Sequence, residues 1–455
     1  MSKKSFLPSF AIVVLLAVFA LSMSAVGVLA QDPTATPEPL PSPTPAIASM
    51  GSGGTHLSFW NGLTGSDGVT LNAMLADFVV DHPEISVTTE IVDWNTLYTK
   101  LQAAFVAGTP PDVILLHAAE IPQFASYGVL KDLGYMYDVN GGWLPVDDLG
   151  PATYAGMQYE GVTYGIPLDN HGRGLWISNT AFENAGLDAN SMEPPTTYEG
   201  WVELFQQLTL DVNGNNAASP DFDPENVAQW GFAVGEWPFV NWYSSLNQHG
   251  GSFFSEDGST ITVNSPEGVL ALQQMVDLVY EYNVSPPEAG FDTWAAFSAG
   301  NLATIPTGTW FRNFAFEQTD IDSQAWPQYQ FGEQQATWID AHTFMLPASL
   351  EGEKLAAAET LIQWVGENQV AWAASGQVPA RLSAQAALDP ENYPTNILLG
   401  QTFTDYAVMA PPHVAILELR AALEPELSAA LNGQKTAQQA MDDAAARMQQ
   451  VLDRS

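Results

Sequence analysis

Cysteine is absent from all 455 residues. That excludes disulfides, thiol catalysis, thiolate metal sites and a lipid-modified cysteine at a mature N-terminus. Basic residues are scarce. There are 12 Lys plus Arg against 51 Asp plus Glu, a formal net charge of -39. Such a surface repels nucleic-acid phosphates and anionic lipid headgroups, so no nucleic-acid partner is expected. The acidity reads as solubility in an exposed or salty setting, with attraction of cationic ligands as the sharper alternative. Enzyme signatures are missing as well: there is no Gly-x-Ser-x-Gly, no His-Glu-x-x-His and no phosphate-cradling Gly-x-x-x-x-Gly-Lys-Ser/Thr. Thr64-Gly-Ser-Asp-Gly68 misses the first of these at its first position. Carboxylates are plentiful, so a glycosidase pair stays open on sequence alone.

What is present begins with an address. Lys3 and Lys4 precede an apolar run from Phe6 to about Ala30. A charged start followed by an apolar stretch is a secretory signal, and Val28-Leu29-Ala30 places small residues for cleavage before Gln31. The run is also long enough to span a bilayer, so residues 1–30 read either as a signal peptide or as a retained anchor. Both put the rest of the chain outside the cytoplasm. Residues 31–55 are rich in Pro and Thr. Proline lacks the N–H that ladders need and favours extended chain, which predicts a linker.

From Thr55 the pattern alternates. Strands are expected at His56–Trp60, Ile85–Val92 and Pro111–Leu116. Helices are expected between them, over 67–81 with apolar Leu71, Met74, Leu75, Phe78 and Val79, and over 95–107. This βαβ order predicts an α/β chain with mostly parallel sheets flanked by helices. Thr196-Thr-Tyr-Glu199 reads as a capping box, Ser265-Pro266 starts another helix, and about 413–452 reads as two helices. Asp211-Val-Asn-Gly-Asn-Asn216 has the opening rhythm of a calcium loop, but its twelfth position is Phe222, and a plain polar turn is the simpler reading.

In order along the chain, five segments resemble the family 1 extracellular solute-binding proteins. They are Trp94 through Leu133 with its Ala-Gly-Thr-Pro-Pro-Asp-Val, Tyr159 through Asp169, Asn179 through Leu187, Phe297 through Trp310, and Trp372 through Arg381. The resemblance covers nearly everything after Thr55. It implies a two-lobed, periplasmic-binding-protein-like fold of type II with a ligand cleft between the lobes. It implies closure on binding and delivery of a carbohydrate to ABC transporter permease subunits. The lobes would hold 55–167 plus 338–385 and 168–337 plus 386–455. The expectation is a monomer with no cofactor, no metal and no enzymatic activity. The charged pair expected after the Pro-Asp strand is replaced here by His117-Ala-Ala-Glu120, so a maltodextrin is not implied. A hydrolase using two carboxylates, or a binder of cationic or peptide ligands, are the alternatives.

Ligands of open α/β sheets sit beyond the carboxyl ends of strands. A sugar site needs aromatic platforms and planar polar side chains. Candidate contacts are therefore Trp60 and Asn61 after the first strand, and His117 and Glu120 after the third. Asp169, Asn170 and His171 fall at the first crossing, with Asp340 and His342 near the second. Glu236, Trp237 and Trp242 form an aromatic and polar cluster, and Trp310 follows Gly308, which is expected to let the backbone turn sharply. Arg381 is expected to pair with a carboxylate instead.

Overall fold

A computed structural model describes residues 46–317 and 320–455. The expected signal or anchor and most of the linker lie outside the described residues. Among those described, no helix is long and apolar enough to cross a membrane.

Two six-stranded sheets organise the chain. The first runs in the order Ala46–Met50, Ile85–Ile91, Thr55–Asn61, Val113–His117, His342–Met345, Ile166–Pro167. The second is built around the strand Asp169–Ser178, whose ten residues are all buried. Thr304–Gly308, Ser323–Pro327, Thr337–Asp340 and Val378–Pro379 all pair with it, and Ala407–Val408 extends the sheet through Thr337–Asp340.

Two expectations change here. Residues 46–50, read as linker, form an edge strand antiparallel to Ile85–Ile91. An edge strand needs only backbone bonds on one side, so composition carried no signal for it. The sheets are also mixed. Parallel pairing is confined to Thr55–Asn61 with its two neighbours and to the 337–340 and 407–408 pair. The reason is the long central strand, which receives four antiparallel partners from distant parts of the chain.

The helices follow their apolar spacing. Ser66–Asp81 buries Leu71, Met74, Leu75 and Phe78 against the first sheet. Trp94–Ala107 opens on Asp93, whose carboxylate accepts from Thr96 N, and closes on left-handed Gly108. The cap of Tyr198–Leu208 is Thr197 rather than Thr196; its hydroxyl accepts from Gly200 N, so the expected capping box is replaced by a simple cap one residue later. Ser265 caps Pro266–Tyr280, and the C-terminal stretch is two helices, Ile416–Leu431 and Ala437–Leu452.

Each sheet has its own core. Leu57, Phe59, Phe78 and Leu361 belong to the first, while Trp201, Trp242, Leu272, Leu427 and Met441 belong to the second. The chain passes from one sheet to the other at Leu168, between Ile166–Pro167 and Asp169–Ser178, and at Ala341, between Thr337–Asp340 and His342–Met345. Burying a side chain such as Phe78 or Leu427 contributes about 1.5–3 kcal/mol, so each core is a substantial unit.

Candidate ligand-binding site

The crossings carry polar residues into a buried position. Asp169, at the start of the central strand, is fully buried. Its carboxylate accepts from His342 N at 3.1 Å, His342 Nδ1 at 2.8 Å, His171 Nδ1 at 3.2 Å and Trp372 Nε1 at 2.8 Å. Burial alone would raise its pKa. The two imidazoles and the bonds they donate outweigh that and hold the carboxyl well below the usual carboxylate range.

The imidazoles of His171 and His342 stand at the floor of a cavity of about 740 Å³, within the range of small-molecule sites. His117, His171 and His342 line it together with Glu120, Asp340 and Asp67. Burial, then the neighbouring His342 and His171, push His117 well down; burial, then His342, lowers His171. His342 goes the other way: burial opposes its charge, but Asp169 attracts and bonds it, and its pKa rises. Glu120 is pushed up to about 8 by burial and by the Asp340 carboxylate. Its Oε2 is buried without a hydrogen-bond partner, 3.7 Å from His117 Nδ1. Burial likewise raises Asp340 and Asp67.

The walls are aromatic. Trp94, Trp237, Trp294, Trp310 and Trp338 all face the cavity. Trp94 stacks on His342 at 5.4 Å between ring centroids, 14° from parallel. Gly62 makes room for it, since a Cβ there would sit 2.2 Å from the Trp94 ring. Gly308 acts in the same way. Its φ of -88° is ordinary backbone, so the expected sharp turn is absent. A Cβ at Gly308 would lie 2.1 Å from the Trp310 ring, so glycine is there to let the indole fold back.

Trp237 adopts a left-handed conformation, φ 47°, at the start of the helix Pro238–Gln248. Such backbone costs of order 1–3 kcal/mol and needs support. Buried Arg173 supplies it. Its Nη2 donates to Glu236 O at 2.7 Å and to Trp237 O at 3.4 Å, while Nη1 reaches the Glu236 carboxylate at 3.3 Å. The same guanidinium lies 5.9 Å from the Trp237 ring and 5.4 Å from the Trp310 ring, so one cation ties both walls together. Arg420, from the helix Ile416–Leu431, covers Trp237 at 5.0 Å and pairs with Glu424 at 3.1 Å.

Seven of the sequence candidates line the cavity: His117, Glu120, His171, Trp237, Trp310, Asp340 and His342. Six do not. Trp60 lies under Lys100 Nζ at 3.6 Å. Asn61 is buried and accepts from Leu63 N at 3.1 Å, which orders its loop. Asp169 stands behind the histidines. Asn170, on the opposite side of the strand, accepts from Thr153 Oγ1 at 2.6 Å. Glu236 is engaged by Arg173. Trp242 is a core residue, fully buried, with its indole N–H on Gly268 O at 2.9 Å. Arg381 pairs with Asp148 at 2.7 Å, as expected. In the 211–216 turn the Asp211 carboxylate accepts from Asn213 N, Asn215 N, Asn215 Nδ2 and Asp223 N, the pattern of a polar turn. Cavity residues the sequence did not single out include Asp67, Trp94, Tyr98, Trp338, Gln377 and Arg420. Trp94 follows a strand end, a signal that could have found it. Arg420 carries none, because it arrives from a C-terminal helix.

Comparison with known proteins places this geometry. The chain is 21% identical over 277 residues to an arabinooligosaccharide-binding protein of Halalkalibacterium halodurans, covering 59% of this chain and 57% of that protein. It is 24% identical over 254 residues to a lactose-binding protein of Rhizobium radiobacter, covering 53% of each. The chain thus spans little more than half the length of these curated relatives. Two solved structures share its fold: an ABC substrate-binding protein from Listeria monocytogenes in complex with cycloalternan and a cyclic alpha-maltosyl-1,6-maltose binding protein from Arthrobacter globiformis. For the first the TM-score is 0.73 at 20% identity, covering 88% of this chain and 99% of that one. For the second it is 0.70 at 23% identity, covering 89% and 100%. The architecture is therefore the two-lobed α/β fold of these binding proteins, with the cavity where the two sheets meet. Residues 61–372, more than half of the chain, match the model of the bacterial extracellular solute-binding proteins, and the chain belongs to that family.

Proposed function

We propose that this protein captures a carbohydrate, an oligosaccharide in particular, in the cleft between its lobes and delivers it to the permease of an ABC importer, itself performing no chemistry. One observation carries the reading: five tryptophans face a cavity whose floor is lined by imidazoles and carboxylates. Sugar rings offer apolar C–H faces to indoles and a rim of hydroxyls to planar polar groups, so both halves of the site are matched. The names of the relatives support the same ligand class. The protein acts as an exported monomer, outside the cytoplasm, with residues 1–30 as a cleaved signal or a retained anchor and the Pro/Thr-rich residues before the strand Ala46–Met50 as a spacer. The lobes divide along the two sheets, with Leu168 and Ala341 at the crossings.

A panel of neutral oligosaccharides, arabino-oligosaccharides and lactose included, tests this by thermal shift, since a ligand that binds the folded state raises its melting temperature by mass action. At least one neutral sugar is expected to do so, and incubation with labelled oligosaccharide is expected to yield no product. A second reading has an observation of its own. Asp67, Glu120, Asp340 and Glu424 line the cavity against one cation, Arg420. That balance favours a ligand bearing an amino group. Amino sugars added to the same panel separate the two readings: a response to the amines alone would replace the neutral sugar.

A further inference from the structure

Three imidazoles converge on the cavity floor. His117 ends one strand of the first sheet, and His342 opens the next, directly opposite it in register. His171 comes from the second sheet, paired with Asp340. Each offers one ring nitrogen, and the three nitrogens lie within 4.8 Å of one another. The ring centroids stand 5.2 Å (His117–His171), 5.2 Å (His117–His342) and 4.2 Å (His171–His342) apart. Three imidazoles on one tetrahedral ion, each with a metal–nitrogen bond of about 2.0–2.1 Å, place their centroids about 5 Å apart. Two of the three spacings already have that value.

The outward nitrogens supply an independent observation. The Nδ1 atoms of His171 and His342 are both held by the Asp169 carboxylate, at 3.2 and 2.8 Å. The Nδ1 of His117 is held by the Tyr98 hydroxyl. Asp169 is itself fixed by Trp372 Nε1. A carboxylate on the far nitrogen sets the tautomer of a ligating histidine and fixes its ring. In the neutral ring that tautomer leaves Nε2 with its lone pair. Among the described residues, the hydrogen bonds of these three rings are all made through Nδ1. One nitrogen from each ring thus falls within one small volume, and the carboxylates of Asp67, Glu120 and Asp340 line the same cavity. A cation meets both requirements.

We propose that His117, His171 and His342 bind one divalent transition-metal ion of the zinc class at the floor of the cleft. Three nitrogen ligands with a fourth position facing a cavity is the open arrangement that zinc takes. Imidazole donors select against calcium and magnesium, which prefer oxygen. Because His171 belongs to one sheet and His117 and His342 to the other, the ion ties the two lobes together. Its open position receives an oxygen of whatever occupies the cleft. The inference stands apart from the carbohydrate reading, since it rests on the three rings and the bonds that hold them.

The test uses the full chain, stripped with chelator and dialysed, with Zn²⁺ and Co²⁺ as the probes. Calorimetry with Zn²⁺ is expected to show one ion per chain. Co²⁺ is expected to give the intense visible absorption of a tetrahedral, nitrogen-bound ion. His117→Ala alters a partly exposed side chain at the cleft and is expected to weaken Zn²⁺ at least tenfold and abolish the Co²⁺ spectrum. Asp169→Asn, which leaves all three ligands in place, is expected to weaken it about 10–100-fold. Circular dichroism on both variants confirms that the compared proteins are folded. Absence of binding overturns the proposal. So does weak, multi-ion binding that His117→Ala leaves unchanged, which would belong to surface carboxylates. Sugar titrations run separately on stripped protein decide the carbohydrate reading, so either can fail without the other.

Discussion

Asp169 and His342, 173 positions apart in the chain, are joined by two hydrogen bonds, from the His342 backbone N–H at 3.1 Å and from its Nδ1 at 2.8 Å. The first residue opens the central strand of the second sheet and the other opens a strand of the first, so this pair bolts the two chain crossings to each other. Removing one partner of a buried charged pair costs about 3–5 kcal/mol. Asp169→Ala is therefore expected to lower stability by about that amount, read from urea unfolding. A loss within a few tenths of a kcal/mol would mean that the crossings hold without the carboxylate.

Trp310 should act as a platform rather than as core. It is half-buried, rests on the Cα of Gly308 and faces the cavity. Losing it should remove about 1–3 kcal/mol of binding, roughly ten- to hundredfold in Kd, with most of the thermal stability kept. Gly308→Ala offers a check that leaves the indole in place. The added methyl would stand 2.1 Å from the ring, so the ring must move, and affinity for the sugar found in the panel should fall in the same direction. Calorimetry on both variants decides it. Unchanged affinity in both would take Trp310 out of the site.

Trp242 provides the contrast. It is fully buried in the second core and its indole is satisfied by Gly268 O. Trp242→Ala should cost about 3–5 kcal/mol of stability, while the folded fraction keeps its affinity. A fall in affinity with little loss of stability would return Trp242 to the site.

The elements that could be read from the chain are those whose signal is local. Leu71, Met74, Leu75 and Phe78 recur at helical spacing and are buried together on one helix face. The end of a strand predicted a site position for His117, and that residue lies on the cavity floor. The same rule placed Trp60 and Asn61 wrongly at the cavity, because Trp60 turned to Lys100 and Asn61 to its own loop. What could not be read depends on distance along the chain. The strand 169–178 looks like a short extended stretch until its partners arrive from residues 304, 323, 337 and 378 onward. Arg173 gives no local sign that it will hold Trp237 in a left-handed turn 64 residues away. The three histidines escape any spacing motif, since 54 and 171 residues separate His171 from its neighbours in the sequence order 117, 171, 342, and only the sheets bring them together.

Stability should also depend on pH through a pair far from the cleft. The Asp148 carboxylate accepts from Arg381 Nε, Ser383 N and Ser383 Oγ, each at 2.7 Å, and so fastens the start of the helix Leu382–Ala386 to the residues before the helix at Pro151. Partial burial raises its pKa, but the Ser383 and Arg381 bonds prevail and the folded value lies below the ordinary one. A carboxyl whose folded pKa is depressed stabilises fully above its unfolded pKa, about 3.9, and loses that contribution as pH falls through the folded value. Asp148→Asn should therefore cost about 1–3 kcal/mol at pH 7, the worth of hydrogen bonds to a charged group. The gap between variant and parent should close as the pH is lowered below about 4. Urea midpoints of the two proteins from pH 7 down to pH 3 measure it. A gap that stays constant over that range would assign the cost to lost packing instead of the carboxylate charge.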